Sequence, residues 1–142
     1  MFPGSEYNTE VWSHFRAPRN SGVFPADASG VVAGAAGARK HGRAVEFQLQ
    51  VNAAGTVVDC RYRVFGCPAT IALCSMASEA LKGGPLCDAA RYSVVQLADR
   101  LGLVAEKRAA AIVVEDAIRA AVRRYNNNSP PQLAVVKFTM ES

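Results

Sequence analysis

Cys67 stands between Gly66 and Pro68, after a run of alternating apolar residues and before a helical stretch. Proline suits the first turn of a helix, so the pattern predicts a helix from about Pro68 to Lys82, stopped by Gly83-Gly84, with Cys67 at its N-cap. Unpaired N–H groups and the helix dipole favour an anion there, and a thiolate so placed is a better nucleophile and metal ligand. The plainer reading is an inert, half-buried cysteine at a strand–helix turn. Cys60 and Cys74 share faces with apolar neighbours and read as small core residues. Cys87 follows a Gly-Gly-Pro turn and reads as a surface or loop thiol. No C-x-x-C pair exists, which excludes zinc-ribbon and thioredoxin-type chemistry. The other cluster with chemical potential is Arg39-Lys40-His41-Gly42-Arg43. Such a run is ordinarily a solvated loop. The sharper reading is an anion- or partner-binding loop with His41 as a metal ligand.

The elements that must position these residues can be read from periodicity. Tyr7, Val11 and Phe15 recur at helical spacing and Pro18 follows, giving a short helix from about Tyr7 to Arg16. Gly22 to Gly42 reads as mostly loop, with Val31-Val32 as a short strand. Val45, Phe47, Leu49 and Val51 then alternate with Glu46, Gln48 and Gln50, and Val58, Cys60, Tyr62 and Val64 with Asp59, Arg61 and Arg63. With Asn52-Ala53-Ala54-Gly55 as the turn, this predicts an antiparallel hairpin with one buried face. Ser93 to Gln96 fits a capping box for a short helix ending by Gly102, and Lys107 to Tyr125 reads as a longer amphipathic helix. Asn126 to Pro131 breaks the pattern, and Leu133 to Thr139 reads as a last edge strand. Strands early and helices late indicate an α+β domain: a small antiparallel sheet of about three strands packed against helices over residues 1–126, with a C-terminal extension over 127–142.

A chain of 142 residues is enough for one domain with a real core. Its apolar runs are short and broken, so no membrane span is expected, and the N-terminus lacks a secretory pattern. The expected compartment is the cytoplasm. The net charge of +4 is compatible with a nucleic-acid partner without requiring one.

Several stretches together resemble the IscU/NifU-type iron–sulfur cluster assembly scaffolds. Tyr7-Asn8-Thr9-Glu10-Val11, His14-Phe15 and Pro18-Arg19-Asn20-Ser21-Gly22 are similar to that family's opening. Asp59 to Cys67 resembles its strand and central cysteine, and Ser78-Glu79, Lys82-Gly83 and Glu115 to Ile118 also match. The resemblance runs from Tyr7 to about Tyr125. It implies the family's small α+β fold and a non-enzymatic role: receiving sulfur from a cysteine desulfurase, assembling a [2Fe–2S] cluster on three cysteines and a carboxylate, and passing it to acceptor apoproteins.

The departures from the family fall on its ligands. Its first cysteine lies in an Ala-Cys-Gly-Asp loop, matched here by Lys40-His41-Gly42-Arg43. Its His-Cys pair is matched by Ala109-Ala110, and only Cys67 is kept. Its chaperone-recognition stretch, Leu-Pro-Pro-Val-Lys, is met by Leu103 to Lys107 with only the first and last residues preserved, which puts chaperone docking in doubt. The expected metal or cofactor ligands are therefore Cys67 and His41, for iron, a [2Fe–2S] cluster or zinc. That set is two ligands short in a monomer. Three readings stay open: a scaffold of unusual ligation, a cluster-incompetent paralogue acting as an interaction module, and a homodimer pooling two copies of Cys67 and His41. A nucleic-acid module using Arg39, Lys40, Arg43, Arg61 and Arg63 is disfavoured, because these cations lack interleaved aromatics.

Overall fold

The computed structural model describes residues 9–103 and 105–127. Helix α1 spans Thr9–Arg16, and three strands follow: β1 Val31–Ala38, β2 Arg43–Val51 and β3 Val57–Phe65. Four helices complete the described chain: α2 Pro68–Leu81, α3 Leu86–Arg91, α4 Val94–Arg100 and α5 Ala105–Asn126. The sheet is antiparallel in the order β1-β2-β3. Helix α5 packs on β1 and β2, and α2 on β3, so the expected α+β architecture is present. The sequence-predicted strand over Leu133 to Thr139 lies outside the described residues, as do Tyr7 and Asn8.

The inner face of the sheet carries the core. Val45, Phe47, Leu49 and Val51 from β2 join Cys60 and Tyr62 from β3 and Val32 from β1 beneath the helices. Phe47 and Tyr62 are cross-strand partners with stacked rings 5.9 Å apart, an arrangement that adds to their area burial.

The hairpin differs from its predicted pattern in two ways. Val58 is 44% exposed, and Val57 takes its place in the core. The cause is a register shift: Gln50 pairs with Asp59 but Val51 pairs with Val57, so Val58 is the extra residue of a β-bulge. Nor does β2 have only one buried face, because Glu46 and Gln48 are also buried. As the central strand it is flanked on both sides. Arg63 reaches over to Glu46, and the Phe24 amide donates to Gln48 Oε1.

Two further elements go beyond the periodic reading. The short strand read at Val31-Val32 is the start of the eight-residue strand β1, which continues through residues read as loop. Its Val-Val-Ala-Gly-Ala-Ala-Gly-Ala sequence lacks large side chains because α5 crosses it closely. A Cβ on Gly34 would lie 2.2 Å from Ala121 N and 2.4 Å from Ala117 O. Cys87, read as a surface or loop thiol, is exposed but belongs to α3.

Helix α1 is held on α2 by a buried polar cluster. Ser75 Oγ lies 2.7 Å from His14 Nδ1 and accepts a hydrogen bond from the Arg19 amide at 2.9 Å. Glu79 lies 3.8 Å from His14 Nε2. The Ser-His-Glu order resembles a hydrolytic triad, but Ser75 is fully buried and substrate cannot reach it. The cluster is a docking device, in which desolvation first, and then Arg19, hold the His14 imidazole below its ordinary value. Ser93 caps α4 as its sequence predicts, accepting from the Gln96 amide at 3.1 Å.

Candidate functional site

Cys67 occupies the N-cap of α2 with extended backbone angles, φ −81° and ψ 169°, and Pro68 opens the helix. Its carbonyl accepts from the amides of Thr70 and Ile71, which fixes the strand–helix corner. The side chain is half-buried. Its sulfur lies 3.4 Å from Thr70 Oγ1. Burial alone would raise the thiol pKa. The Thr70 hydroxyl and amide, the positive charge of Lys107 and the Ala69 amide outweigh it, and the net effect lowers the pKa. The other interior thiols go the opposite way: desolvation, with Asp59 adding to it and Lys82 and Arg61 opposing, pushes Cys60 up to about 12, and desolvation pushes Cys74 strongly up. The helix signal located Cys67, but Thr70 was missed. Its sequence signal was a hydroxyl residue three positions after the cap.

His41 ends a 3₁₀ turn, Arg39–His41, that joins β1 to β2. Gly42 follows with φ 90°, a left-handed conformation natural to glycine, and its amide donates to the Arg39 carbonyl. His41 is exposed. Because Ala44 pairs with Phe65, this turn lies at the same end of the sheet as the exit of β3, two residues before Cys67. The Arg39 guanidinium sits 5.0 Å from the centre of the Phe65 ring. Lys107, in the first turns of α5, acts electrostatically on Cys67.

This sheet end holds few metal ligands. Arg43 is half-buried, and its buried Nε has no hydrogen-bond partner among the described residues. Ala110, which the resemblance aligns with the family's His-Cys pair, is fully buried. Among the described residues, no three His, Cys, Asp or Glu side chains form a group able to hold a metal ion. Thiolates are the ligands that suit iron–sulfur clusters. One thiolate, one solvent-facing imidazole and a nearby guanidinium do not fit such a cluster within one chain.

Residues 6–130 match the NifU-like N terminal domain family. The chain belongs to that family. It is 36% identical over 121 residues to the iron–sulfur cluster assembly scaffold protein IscU of Azotobacter vinelandii, spanning 85% of this chain and 94% of the relative. It is 34% identical to the Escherichia coli protein of the same name, with the same coverage. Among solved structures, the N-terminal NifU-like protein from Brucella abortus superposes with a TM-score of 0.64 at 15% identity, covering 89% of this chain and 98% of that one. That likeness extends to the fold. Among the described residues, no helix is long and apolar enough to cross a membrane.

Proposed function

We propose that this chain is an iron–sulfur cluster assembly protein of the scaffold type, not an enzyme, that works through Cys67. The observation that carries the reading is the polarised thiol at the N-cap of α2, at the position of the one cysteine the family match retains. In this reading the protein docks on a cysteine desulfurase in the cytoplasm and serves acceptor apoproteins. Iron or a [2Fe–2S] cluster is its cargo, held by Cys67 with His41 beside it. The missing ligands come from outside the single chain, from a second copy or from a docked protein.

A second reading is favoured by a specific set of residues. Arg43, Ala109 and Ala110 stand where the resemblance places a carboxylate, a histidine and a cysteine. A chain altered at these positions suits a regulatory module that keeps the docking surface without the cluster.

Anaerobic reconstitution with iron and sulfide, followed by absorbance, iron counting and size analysis, separates the two. The scaffold reading expects cluster absorbance when a second copy or a desulfurase is present, lost in Cys67→Ser. Absence of a cluster under every condition, with desulfurase binding retained, would leave the regulatory module.

A further inference from the structure

The Cys67 end of the sheet is marked by its charge as well as its thiol. No Asp or Glu occurs between Asp27 and Glu46, or between Asp59 and Glu79. These are the two segments that β1–β2 pairing and the β3–α2 corner bring together. Elsewhere several cations are engaged by carboxylates: Arg19 with Glu79, Arg61 and Lys82 with Asp59, Arg63 with Glu46, Arg91 with Asp88, Arg108 with Asp99, Arg119 with Glu115, whereas Arg16, Arg100, Arg123 and Arg124 stand singly or in pairs without an ion pair to any described residue. Arg39, Lys40 and Arg43 form no ion pair with any described residue, and Arg39 and Lys40 are exposed. Beside them Phe65, 42% exposed, presents an aromatic ring.

Like charges at this density favour a docked protein over a second copy of the same surface as the source of the missing ligands. They also disfavour the approach of a bare metal cation. Nucleic acid is a poorer match than protein, because three cations on one turn with a single aromatic ring beside them make a short footprint.

We propose that the turn Arg39–Arg43, with the Phe65 ring beside it, is a docking surface for an acidic segment of a partner protein. The carboxylates of that segment lie over Arg39 and Lys40, and one of its apolar side chains lies on Phe65. The proposal deepens the scaffold reading and rests on it for the role of the docked protein: the partner is held within reach of Cys67 and can supply the ligands this chain lacks.

The test uses the full chain and a fluorescein-labelled peptide of alternating glutamate and leucine, with a lysine–leucine peptide and single-stranded DNA of equal length as controls. Binding is read by anisotropy at low and high salt, and the site by protection of Cys67 from iodoacetamide. The acidic peptide is expected to bind, to slow Cys67 alkylation, and to weaken at least about tenfold in Arg39→Glu/Lys40→Glu and on adding salt. Arg123→Glu/Arg124→Glu, at the far end of α5, should leave binding unchanged. Binding that ignores the first pair, falls equally in the second, leaves Cys67 unprotected or is exceeded by DNA would overturn the proposal. These readouts need no iron, sulfide or desulfurase. Their failure is therefore distinct from failure of the scaffold reading, which reconstitution tests.

Discussion

Replacing Thr70 with valine keeps the shape of a fully buried side chain and removes the hydroxyl 3.4 Å from the Cys67 sulfur. A hydrogen bond to a charged group contributes about 1.5–3 kcal/mol, and a long contact to sulfur belongs below that range, at about 1 kcal/mol. At room temperature this corresponds to a factor of about five in the ratio of thiolate to thiol. The hydroxyl favours the thiolate, so its loss must raise the Cys67 pKa and lower the reactive fraction near neutral pH. The assay is iodoacetamide alkylation across a pH series, with Cys67 and the exposed Cys87 separated by peptide mapping. Thr70→Val should react about fivefold more slowly at neutral pH, with its midpoint moved upward and its high-pH limit unchanged. A midpoint that stays in place or moves down would refute the assignment of Thr70 as a thiolate partner.

Other expectations test the frame around the site. In the parent protein, mass-spectrometric mapping near neutral pH should find Cys67 alkylated well ahead of buried Cys60 and Cys74. Val57→Ala should cost about 2 kcal/mol in urea unfolding, and Val58→Ala no more than about 0.5 kcal/mol; the reverse order would remove the bulge. Gly34→Ala forces a Cβ against the backbone of α5 and should cost about 3 kcal/mol, read by the same denaturation. Glu46 is raised above its ordinary 4.5, chiefly by desolvation and against the opposing influence of Arg63. The folded state therefore holds that proton more tightly than the unfolded chain, and the resulting stability, full below about pH 4.5, is lost as pH rises through the folded-state value. The stability of Glu46→Gln relative to the parent should accordingly increase from about pH 4.5 toward neutrality, and a flat difference would contradict it.

The sequence was most legible where burial follows a simple period. The inner face of β2, the stripe of α5 and the Cys67-Pro68 corner could be read because each couples a repeat or a cap to one apolar side. Strand β1 was read only at Val31-Val32, because the constraint on its remainder is close approach by a helix, which selects glycine and alanine and leaves no large apolar residues to count. The outer face of β2 was hidden because its burial depends on Arg63 and the segment around Phe24, seventeen and twenty-two residues away in sequence from Glu46. At the site, the cap position of Cys67 could be read directly. The contributions of Thr70 and Lys107 are set by the α2 corner and by how α5 returns to it, and periodicity reports neither. The solvent exposure of His41 and the full burial of Ala110 likewise follow from the turn and from helix packing, and the family match alone does not specify them.

The most direct test of the account is reconstitution of the purified chain with iron and sulfide, alone and with a cysteine desulfurase, in parent and Cys67→Ser proteins. Absorbance and iron content should show no stable [2Fe–2S] cluster on the isolated monomer, and a cluster in the larger assembly that disappears in Cys67→Ser. A stable cluster on the monomer, or one in the assembly that is indifferent to Cys67→Ser, would contradict a scaffold that works through Cys67 and depends on ligands from beyond its own chain.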